Sequence, residues 1–370
     1  MQYRNVCLEA LACTLPQEVV TSSQIETWLE PLYHRLRLPE GRLELMTGIA
    51  QRRLWAPGTV PSEKSVETAE KLLRRADFDR KYIGALVHGS VCRDYLEPAT
   101  ACRVHHLLRL RKECQIYDLS NACLGLLNGI VQVANMIELG QIRAGLVVGT
   151  ENSRALLETT IRRLNTDTSL SRDDVKLAVA SLTIGSGSAA VLLVHRELSQ
   201  TGNHLLGGIA RTYTDHCRLC EGGEGGNAAE PLMWTDSESL MREGIGAARD
   251  TYAALLKAMN WPADQITKTV CHQVGRTHRK LMLEALGLDP ACDYSTLEYL
   301  GNTGSVALPM TAALAVENGH LQPNDCVGLL GIGSGINVLM LGVQWQRSLV
   351  AGQAETYEPA VEVAAIATNV

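Results

Sequence analysis

The chain contains 370 residues, of which 46% are hydrophobic and 20% charged, and its formal net charge at pH 7 is -6. This length predicts either two domains or one domain built from two similar halves, because single cores rarely grow beyond about 250–300 residues. The composition is typical of an ordered α/β protein. A net negative chain without a basic cluster is not expected to bind nucleic acid.

The 11 cysteines are scattered without regular spacing, which favours a reducing compartment over a disulfide framework. The N-terminus lacks the apolar segment of a signal peptide, and no apolar run reaches the ~18–20 residues of a membrane helix. We therefore expect a cytoplasmic protein without a membrane span. Cys217 and Cys220 form a lone CxxC motif with no second pair at zinc spacing, so no metal site is expected.

Strands alternate with helices along the first half, which predicts stacked α/β layers. In chain order we expect a strand at 6–12, a helix at 22–38, a basic loop at 46–55, a helix at 65–76, a strand at 85–90, a loop at 91–98, a helix from residue 99 and a strand at 144–149. A polar segment of mixed helical character, 150–182, interrupts this pattern, and an apolar strand within 184–194 restores it.

An uncharged apolar segment, 124–137, predicts a helix that is buried on all sides in the middle of the core. Cys123 stands at its first turn, after a polar approach. Unpaired N–H groups and the helix dipole stabilise a thiolate at such a position, which makes Cys123 the candidate nucleophile. Because a lone cysteine is more often a buried apolar residue, this assignment depends on finding partner residues.

The second half of the chain repeats the first. Glu138-Leu-Gly and Glu317-Asn-Gly each close an uncharged apolar helix, and a Gly-Ser-Gly sequence precedes an apolar strand in both halves. Aligning the two helix ends superimposes Cys123 on Asn302. Both residues are therefore expected at the N-termini of equivalent central helices.

This repeat divides the chain into an N-terminal half, 1–198, and a C-terminal half, 199–347. Each half carries an insertion, 150–182 in the first and 215–237 in the second. Insertions on the loop side of a scaffold commonly build the substrate pocket. The C-terminal tail, 348–370, has no strong period and is expected to lie outside the core.

Four local motifs resemble those of a known family. Cys123 lies in Asn-Ala-Cys, His272 begins His-Gln-Val-Gly-Arg, Asn302 lies in Gly-Asn-Thr-Gly, and a closing Gly-Ile-Gly-Ser-Gly ends at Gly335. Together they resemble the ketoacyl synthase III branch of the thiolase superfamily, and the similarity spans most of the chain.

Residues 90–98, Ser-Val-Cys-Arg-Asp-Tyr-Leu-Glu-Pro, are similar to the long-chain acyl-CoA condensing enzymes of head-to-head olefin biosynthesis (OleA type). The resemblance implies an α/β thiolase fold with five αβαβα layers and two pseudo-symmetric halves, a homodimer, and Claisen condensation through an acyl-cysteine. Two fatty acyl-CoA molecules would be joined without decarboxylation to a β-keto acid. No cofactor is implied beyond the CoA thioester, which is the substrate. Residues 304–309 differ in detail from both the ketoacyl synthase III enzymes and the olefin-forming subgroup. This difference leaves the acyl chain length and the second substrate open.

The resemblance also implies a role for each site residue. Cys123 would carry the acyl group, and the backbone N–H groups of Cys123 and Ser334 would form its oxyanion hole. His272 and Asn302 would hold the thioester oxygen of the second substrate as it becomes an enolate. Glu97 matches the glutamate that removes the α-carbon proton and would reach in from the partner subunit. From the residues alone, Glu97 could equally be a solvated loop carboxylate and Asn302 a helix N-cap.

Arg52, Arg53 and Trp55 are candidates for binding the phosphates and adenine of CoA, with Arg276 as a further candidate. Three other functions stay open. One is a decarboxylative 3-oxoacyl-ACP synthase III that uses malonyl-ACP, so that acyl-CoA or acyl-ACP could deliver substrate. Another is an acyltransferase that passes the acyl group to an oxygen or nitrogen acceptor. The third is a non-catalytic partner subunit, against which the intact Cys/His/Asn set argues.

Overall fold

The computed structural model describes residues 1–224 and 231–352. Residues 225–230 of the predicted second insertion and 353–370 of the predicted tail lie outside the described residues. The strands are β1 (Val6–Thr14), β2 (Glu18–Thr21), β3 (Gln51–Leu54), β4 (Ile83–Gly89), β5 (Gln115–Leu119), β6 (Ala144–Glu151), β7 (Gly187–His195), β8 (His204–Thr212), β9 (Cys220–Glu224), β10 (Pro231–Thr235), β11 (Lys268–Cys271), β12 (Asp293–Tyr294), β13 (Cys326–Gly333), β14 (Asn337–Gln344) and β15 (Val350–Ala351).

The helices are α1 (Ser22–Trp28), α2 (Glu30–Leu36), α3 (Arg42–Thr47), α4 (Pro61–Ala76), α5 (Thr100–Leu107), α6 (Gly125–Glu138), α7 (Arg154–Thr166), α8 (Arg172–Leu182), α9 (Ser237–Met259), α10 (Arg276–Leu286), α11 (Leu297–Leu300) and α12 (Ala307–Glu317). Short 3₁₀ turns occur at Arg80–Tyr82, Thr214–Leu219, Pro290–Cys292 and Gly304–Val306.

The large sheet consists of two half-sheets with the same topology. Its strand order is β12-β11-β13-β14-β8-β1-β7-β6-β4-β5, with β15 added to β1. The two halves meet at β1 and β8, where Cys7 pairs with His204. In the first half β4 is parallel to β5 and β6, whereas β7 is antiparallel to β6 and β1. In the second, β11 is parallel to β12 and β13, whereas β14 is antiparallel to β13 and β8.

Three apolar clusters define the layers. Residues of α6 and α12, such as Ile130 and Leu314, pack with inward side chains of both half-sheets, such as Val87 and Leu329. Helices α4 and α5 cover the outer face of the first half-sheet, and α9 and α10 cover the outer face of the second. The predicted five-layer αβαβα fold is confirmed.

The carboxyl end of β4 lies directly against the start of α6. A Cβ atom at Gly89 would lie 2.7 Å from Leu126 Cα, and one at Gly125 would lie 3.2 Å from Leu119 O. Only glycine allows two backbones to approach this closely. The approach fixes the turn at 120–124 at the carboxyl edge of the parallel strands β4, β5 and β6.

Three local predictions differ from the structure. The helix expected at 22–38 is divided into α1 and α2 at Leu29, because Pro31 lacks an N–H group and is tolerated in the first turn of a new helix. The basic loop expected at 46–55 contains β3, which pairs with β2 as an antiparallel ribbon. Strand β5 was not expected, and no side chain of it is fully buried, so it lacks a clear apolar signal.

The two predicted insertions pack against each other. The first forms α7 and α8, and the second includes the β9–β10 ribbon. Ser181 donates to Met233 O at 3.2 Å, and the Arg163 guanidinium lies 4.6 Å from the ring centroid of Trp234. Because α7 follows the carboxyl end of β6, this shared cover lies on the same edge of the sheet as the start of α6.

The predicted tail is partly integrated into the core. β15 pairs in parallel with β1, and Ala351 is buried. The buried Lys71 donates to Gly352 O at 3.0 Å. The expectation that the core ends before 348 is therefore wrong for Val350 to Gly352, because a pair of residues adds to the sheet without any periodic sequence pattern. None of the helices within 1–224 and 231–352 is both long and apolar enough to span a bilayer.

Candidate active site

Cys123 lies in a strained turn just before α6. The preceding residue, Ala122, has φ of 44°, in the left-handed region that residues with a Cβ rarely adopt. Leu124 N donates to Asn121 O at 2.9 Å, which closes the turn. Cys123 is half-buried and precedes the first helical residue, Gly125, by two positions. Strain of this kind is typical of functional sites.

The end of β13, from the second half, packs on this turn. A Cβ atom at Gly333 would lie 3.0 Å from Leu124 Cγ and 3.6 Å from Cys123 N. Asn337 donates to Ser334 O at 2.9 Å and to Asn121 Oδ1 at 3.2 Å. The backbone around Ser334 is thereby joined to the turn of Cys123, although 210 residues lie between the two in sequence.

The pKa of the Cys123 thiol is not lowered, although the residue lies near the start of α6. Burial raises its pKa to about 12, and the neighbouring Cys220 and Glu151 raise it further. Desolvation disfavours the charged form and here outweighs the dipole of α6. The expectation that the helix start lowers the pKa of Cys123 is therefore wrong for the free protein.

His272 follows β11 and is buried. Its backbone N–H donates to Leu330 O at 2.9 Å, whereas neither ring nitrogen has a hydrogen-bond partner among the described residues. Burial lowers its pKa to about 3, and His278 lowers it further. The ring is therefore neutral at physiological pH and offers one N–H donor. An unpaired donor inside a protein is costly unless a ligand completes it.

Asn302 is held by its backbone. Its N–H donates to Thr183 O at 3.0 Å, and its carbonyl accepts from Gly185 N at 2.8 Å. Its side-chain oxygen accepts from Gly304 N at 3.0 Å. Since a backbone N–H can bond only to the oxygen of the amide, this contact leaves the Asn302 amide nitrogen as the donor towards a substrate.

Gln273 ties the segment of His272 to the segment of Asn302. Its oxygen accepts from Thr296 N at 3.0 Å, and its nitrogen donates to Tyr294 O at 3.2 Å. Thr296 is the residue before α11, which leads into Asn302. Gln273 carries no sequence signal of its own beyond its place next to His272.

Glu97 lies at the tip of an exposed loop. Leu96 beside it is 94% exposed, and Tyr95 and Val91 are 60% and 55% exposed. Glu97 itself is also exposed. No described contact links it to Cys123 of the same chain. Several exposed apolar side chains on one loop are a feature that protein interfaces commonly bury.

The four CoA-binding candidates separate into two groups. Arg52 is fully buried, and burial lowers its pKa to about 10. Trp55 is also buried and donates to Glu151 O at 3.0 Å. Arg53 is half-buried and donates to Pro16 O at 2.9 Å, whereas Arg276 is exposed at the start of α10. Alternation along β3 explains the difference between Arg52 and Arg53, and the interior position of Arg52 and Trp55 contradicts the surface role expected for them.

Glu151, the last residue of β6, was missed because it looked like the start of a polar insertion. It is 6% exposed and accepts hydrogen bonds from Val91 N at 2.9 Å and from the Ser305 hydroxyl at 2.6 Å. It thus joins the loop that carries Glu97 to the turn that carries Asn302.

The CxxC motif makes no metal centre in the described ranges. Cys220 accepts from the Thr235 hydroxyl at 3.4 Å, and Cys217 is exposed. Within residues 1–224 and 231–352, no group of three or more His, Cys, Asp or Glu is arranged to hold a metal ion.

Comparison with known families agrees with this geometry. Residues 256–345 match the family model described as 3-oxoacyl-[acyl-carrier-protein (ACP)] synthase III C terminal. The chain is 42% identical to an acyl-CoA:acyl-CoA alkyltransferase of Shewanella oneidensis, over 93% of this chain and 100% of that protein.

Solved structures of Xanthomonas campestris OleA superimpose closely. A cysteine variant with bound lauric acid and lauroyl-CoA has a TM-score of 0.87 at 34% identity, covering 93% of this chain and 100% of that one. A glutamate variant has a TM-score of 0.88 at 33% identity, covering 93% of this chain and 98% of that one. The number of residues between the glutamate and the cysteine substituted there equals the number between Glu97 and Cys123.

The raised pKa of Cys123 predicts its reactivity. Because only the thiolate is alkylated, the rate of modification by iodoacetamide should rise about tenfold per pH unit from pH 7 to pH 9 without levelling. The measurement is the yield of the carbamidomethylated Cys123 peptide by mass spectrometry at each pH. A plateau reached below pH 8 would show a low-pKa thiolate and contradict the burial argument.

Proposed function

This chain belongs to the acyl-CoA:acyl-CoA alkyltransferase family, and we propose that it joins two fatty acyl-CoA molecules by a non-decarboxylative Claisen condensation. The observation that carries the proposal is the identity of 42% along the full length of such an enzyme. The convergence of the Cys123 turn and the end of β13 supports it, because both halves are needed to build one reaction centre.

In the first half-reaction Cys123 takes the acyl group. Its sulfur attacks the thioester carbonyl, the bond between that carbon and the sulfur of CoA breaks, and CoA leaves as a thiol with the proton that Cys123 loses. The oxygen of the tetrahedral intermediate is held by the N–H groups of Cys123 and Ser334. Packing of the residue before Ser334 on this turn supports the pairing, since a Cβ atom at Gly333 would lie 3.6 Å from Cys123 N.

In the second half-reaction a carbon–carbon bond forms. Glu97 removes a proton from the α-carbon of the second acyl-CoA, and the enolate oxygen accepts hydrogen bonds from His272 and Asn302. The enolate carbon attacks the acyl-Cys123 carbonyl, and the cysteine sulfur leaves and takes up the proton that Glu97 removed. The product is a β-ketoacyl-CoA, whose hydrolysis gives the β-keto acid. A neutral His272 with an unpaired N–H suits this role, because a neutral imidazole still donates while remaining a poor acid.

Glu97 acts across a homodimer in this proposal. Its loop exposes Val91, Tyr95 and Leu96, and a partner subunit would bury them while receiving the carboxylate. Arg53 and Arg276 remain candidates for the CoA phosphates, since both keep exposed surface. The free state of all 11 cysteines supports a reducing compartment such as the cytoplasm.

The nearest alternative is decarboxylative condensation with malonyl-ACP, which the match to the 3-oxoacyl-ACP synthase III model favours. Loss of CO₂ then supplies the carbanion, and no base is required. Transfer of the Cys123-bound acyl group to oxygen or nitrogen would require neither a base for an α-carbon nor an enolate hole. Glu97 therefore separates the proposal from both alternatives.

We expect Glu97→Gln to acylate Cys123 and then stall. The amide keeps the size of the side chain but cannot accept the α-proton, so condensation should fall ~10²–10⁴-fold. CoA release in a single-turnover burst measures acylation, and mass spectrometry of the β-keto product measures condensation. Glu113→Gln, another exposed loop carboxylate, is the matched control and should leave both steps unchanged, while Cys123→Ala should show no burst. Condensation by Glu97→Gln at the wild-type rate would remove Glu97 from the mechanism.

Complementation between subunits tests the shared site. A heterodimer of Cys123→Ala and Glu97→Gln chains, purified through two different tags, contains one site with both Cys123 and Glu97 if Glu97 crosses the interface. It should recover about half of the wild-type turnover per dimer, although each parent is inactive. An inactive heterodimer would place Glu97 in the site of its own chain, and failure to recover any heterodimer would contradict the dimer.

A further inference from the structure

Glu151 is a buried carboxylate without a cation beside it. It is 6% exposed, and among the described residues no ion pair joins it to a Lys, Arg or His, although its charge acts on the buried His88 and tends to raise the pKa of that ring. Four donors satisfy it instead. Its Oε1 accepts from Val91 N at 2.9 Å, from the Ser305 hydroxyl at 2.6 Å and from Ser305 N at 3.3 Å, and its Oε2 accepts from Cys92 N at 3.2 Å. Such a group holds its donors firmly, because each buried N–H left unpaired would be costly.

These donors come from two segments that each carry a proposed reacting group. Val91 and Cys92 begin the loop whose tip is Glu97. Ser305 follows Asn302 by three residues in the turn that leads into α12. A Cβ atom at Gly304 would lie 3.3 Å from Glu151 Cγ, so this turn packs tightly on the carboxylate. The carboxylate also lies close enough to Cys123 to raise the pKa of its thiol.

We propose that Glu151 is a positioning residue for carbon–carbon bond formation, which holds both the loop of Glu97 and the turn of Asn302 in place. This inference rests on the proposed function, because the step that Glu151 would control is the condensation. Glu151 itself does not contact the substrate in this role. In a dimer, each Glu151 orients the Asn302 of its own site and the Glu97 that its subunit contributes to the partner's site.

Glu151→Gln isolates this role at small structural cost. The amide has one oxygen, which can stay with the donors at the Oε1 position. Its NH₂ group must then face Cys92 N–H, a donor opposite a donor, so the loop of Glu97 is released at Cys92. The change also removes the negative charge near Cys123.

Glu9 provides a matched control. It is a buried carboxylate, 2% exposed, that accepts from Gln200 N at 2.8 Å and from the hydroxyls of Ser199 and Thr201 at 2.6 Å and 3.0 Å. It lies on β1, away from the turn of Cys123. Glu9→Gln therefore reports the general effect of neutralising a buried acceptor.

Three measurements on the full-length variants test the inference. Condensation by Glu151→Gln should fall at least ~10-fold in kcat with little change in KM, while the burst of CoA release stays within about twofold, because misplacement affects only the step that needs both segments. Hydrogen exchange of the backbone amides at 91–97 should become faster. The pH dependence of Cys123 alkylation should shift to lower pH, because loss of the negative charge lowers the pKa of the thiol. Glu9→Gln should change none of these three.

Ser305→Ala distinguishes the positioning effect of Glu151 from the effect of its charge. It also provides a second test if Glu151→Gln folds poorly. It removes the hydroxyl that contacts Glu151 at 2.6 Å and Gly89 O at 2.9 Å but keeps the carboxylate. It should slow condensation and speed hydrogen exchange at 303–306 without shifting the alkylation curve of Cys123.

Unchanged hydrogen exchange at 91–97 in Glu151→Gln would overturn the inference, whichever reaction the protein catalyses. Equal loss of burst and condensation would also overturn it, because Glu151 would then act on Cys123 or on the fold. A wild type that does not condense acyl-CoA, together with faster exchange in Glu151→Gln, would contradict only the proposed function.

Discussion

The contact between the end of β13 and the turn before α6 is the constraint on which the site depends. Gly331 and Gly333 lie so close to Leu124 that a Cβ atom on either would meet its side chain at 2.6 Å and 3.0 Å. The two halves of the chain can therefore place Cys123 beside Ser334 only if both half-sheets pack fully on α6 and α12. Packing of the two halves and placement of Cys123 next to the end of β13 therefore depend on the same close contact.

Burial at this junction sets the protonation of the reacting groups. It raises the pKa of Cys123 and lowers the pKa of His272, so the free site holds a thiol and a neutral imidazole rather than an ion pair. Uncharged groups cost less to bury before substrate arrives. In the proposed mechanism the donors that remain, a ring N–H of His272 and the side-chain amide of Asn302, bind the enolate oxygen as its charge develops, which is where fixed donors are most effective.

Much of the fold could be predicted from sequence because its signals are local, and the candidate residues were chosen from equally local motifs. An uncharged helix, a repeated helix end and short motifs around Cys123, His272 and Asn302 each occupy a few consecutive residues. The misjudged features depend on tertiary contacts instead. Arg52 and Trp55 face inward because β3 pairs with β2, and the sequence pattern within 46–55 does not predict that pairing. The hydrogen bonds of Glu151 connect two segments that are distant in sequence, so no local pattern marks this residue. The raised pKa of Cys123 results from desolvation in the folded protein, which its position near a helix start does not predict.

The central claim is that two plain acyl-CoA molecules are joined with Cys123 as the carrier. Product analysis by mass spectrometry tests it most directly, with wild-type protein supplied with myristoyl-CoA alone and then with malonyl-ACP added. We expect a β-keto product that contains both myristoyl chains from myristoyl-CoA alone, unchanged in identity when malonyl-ACP is present. A product formed only with malonyl-ACP, and carrying one myristoyl chain, would contradict it.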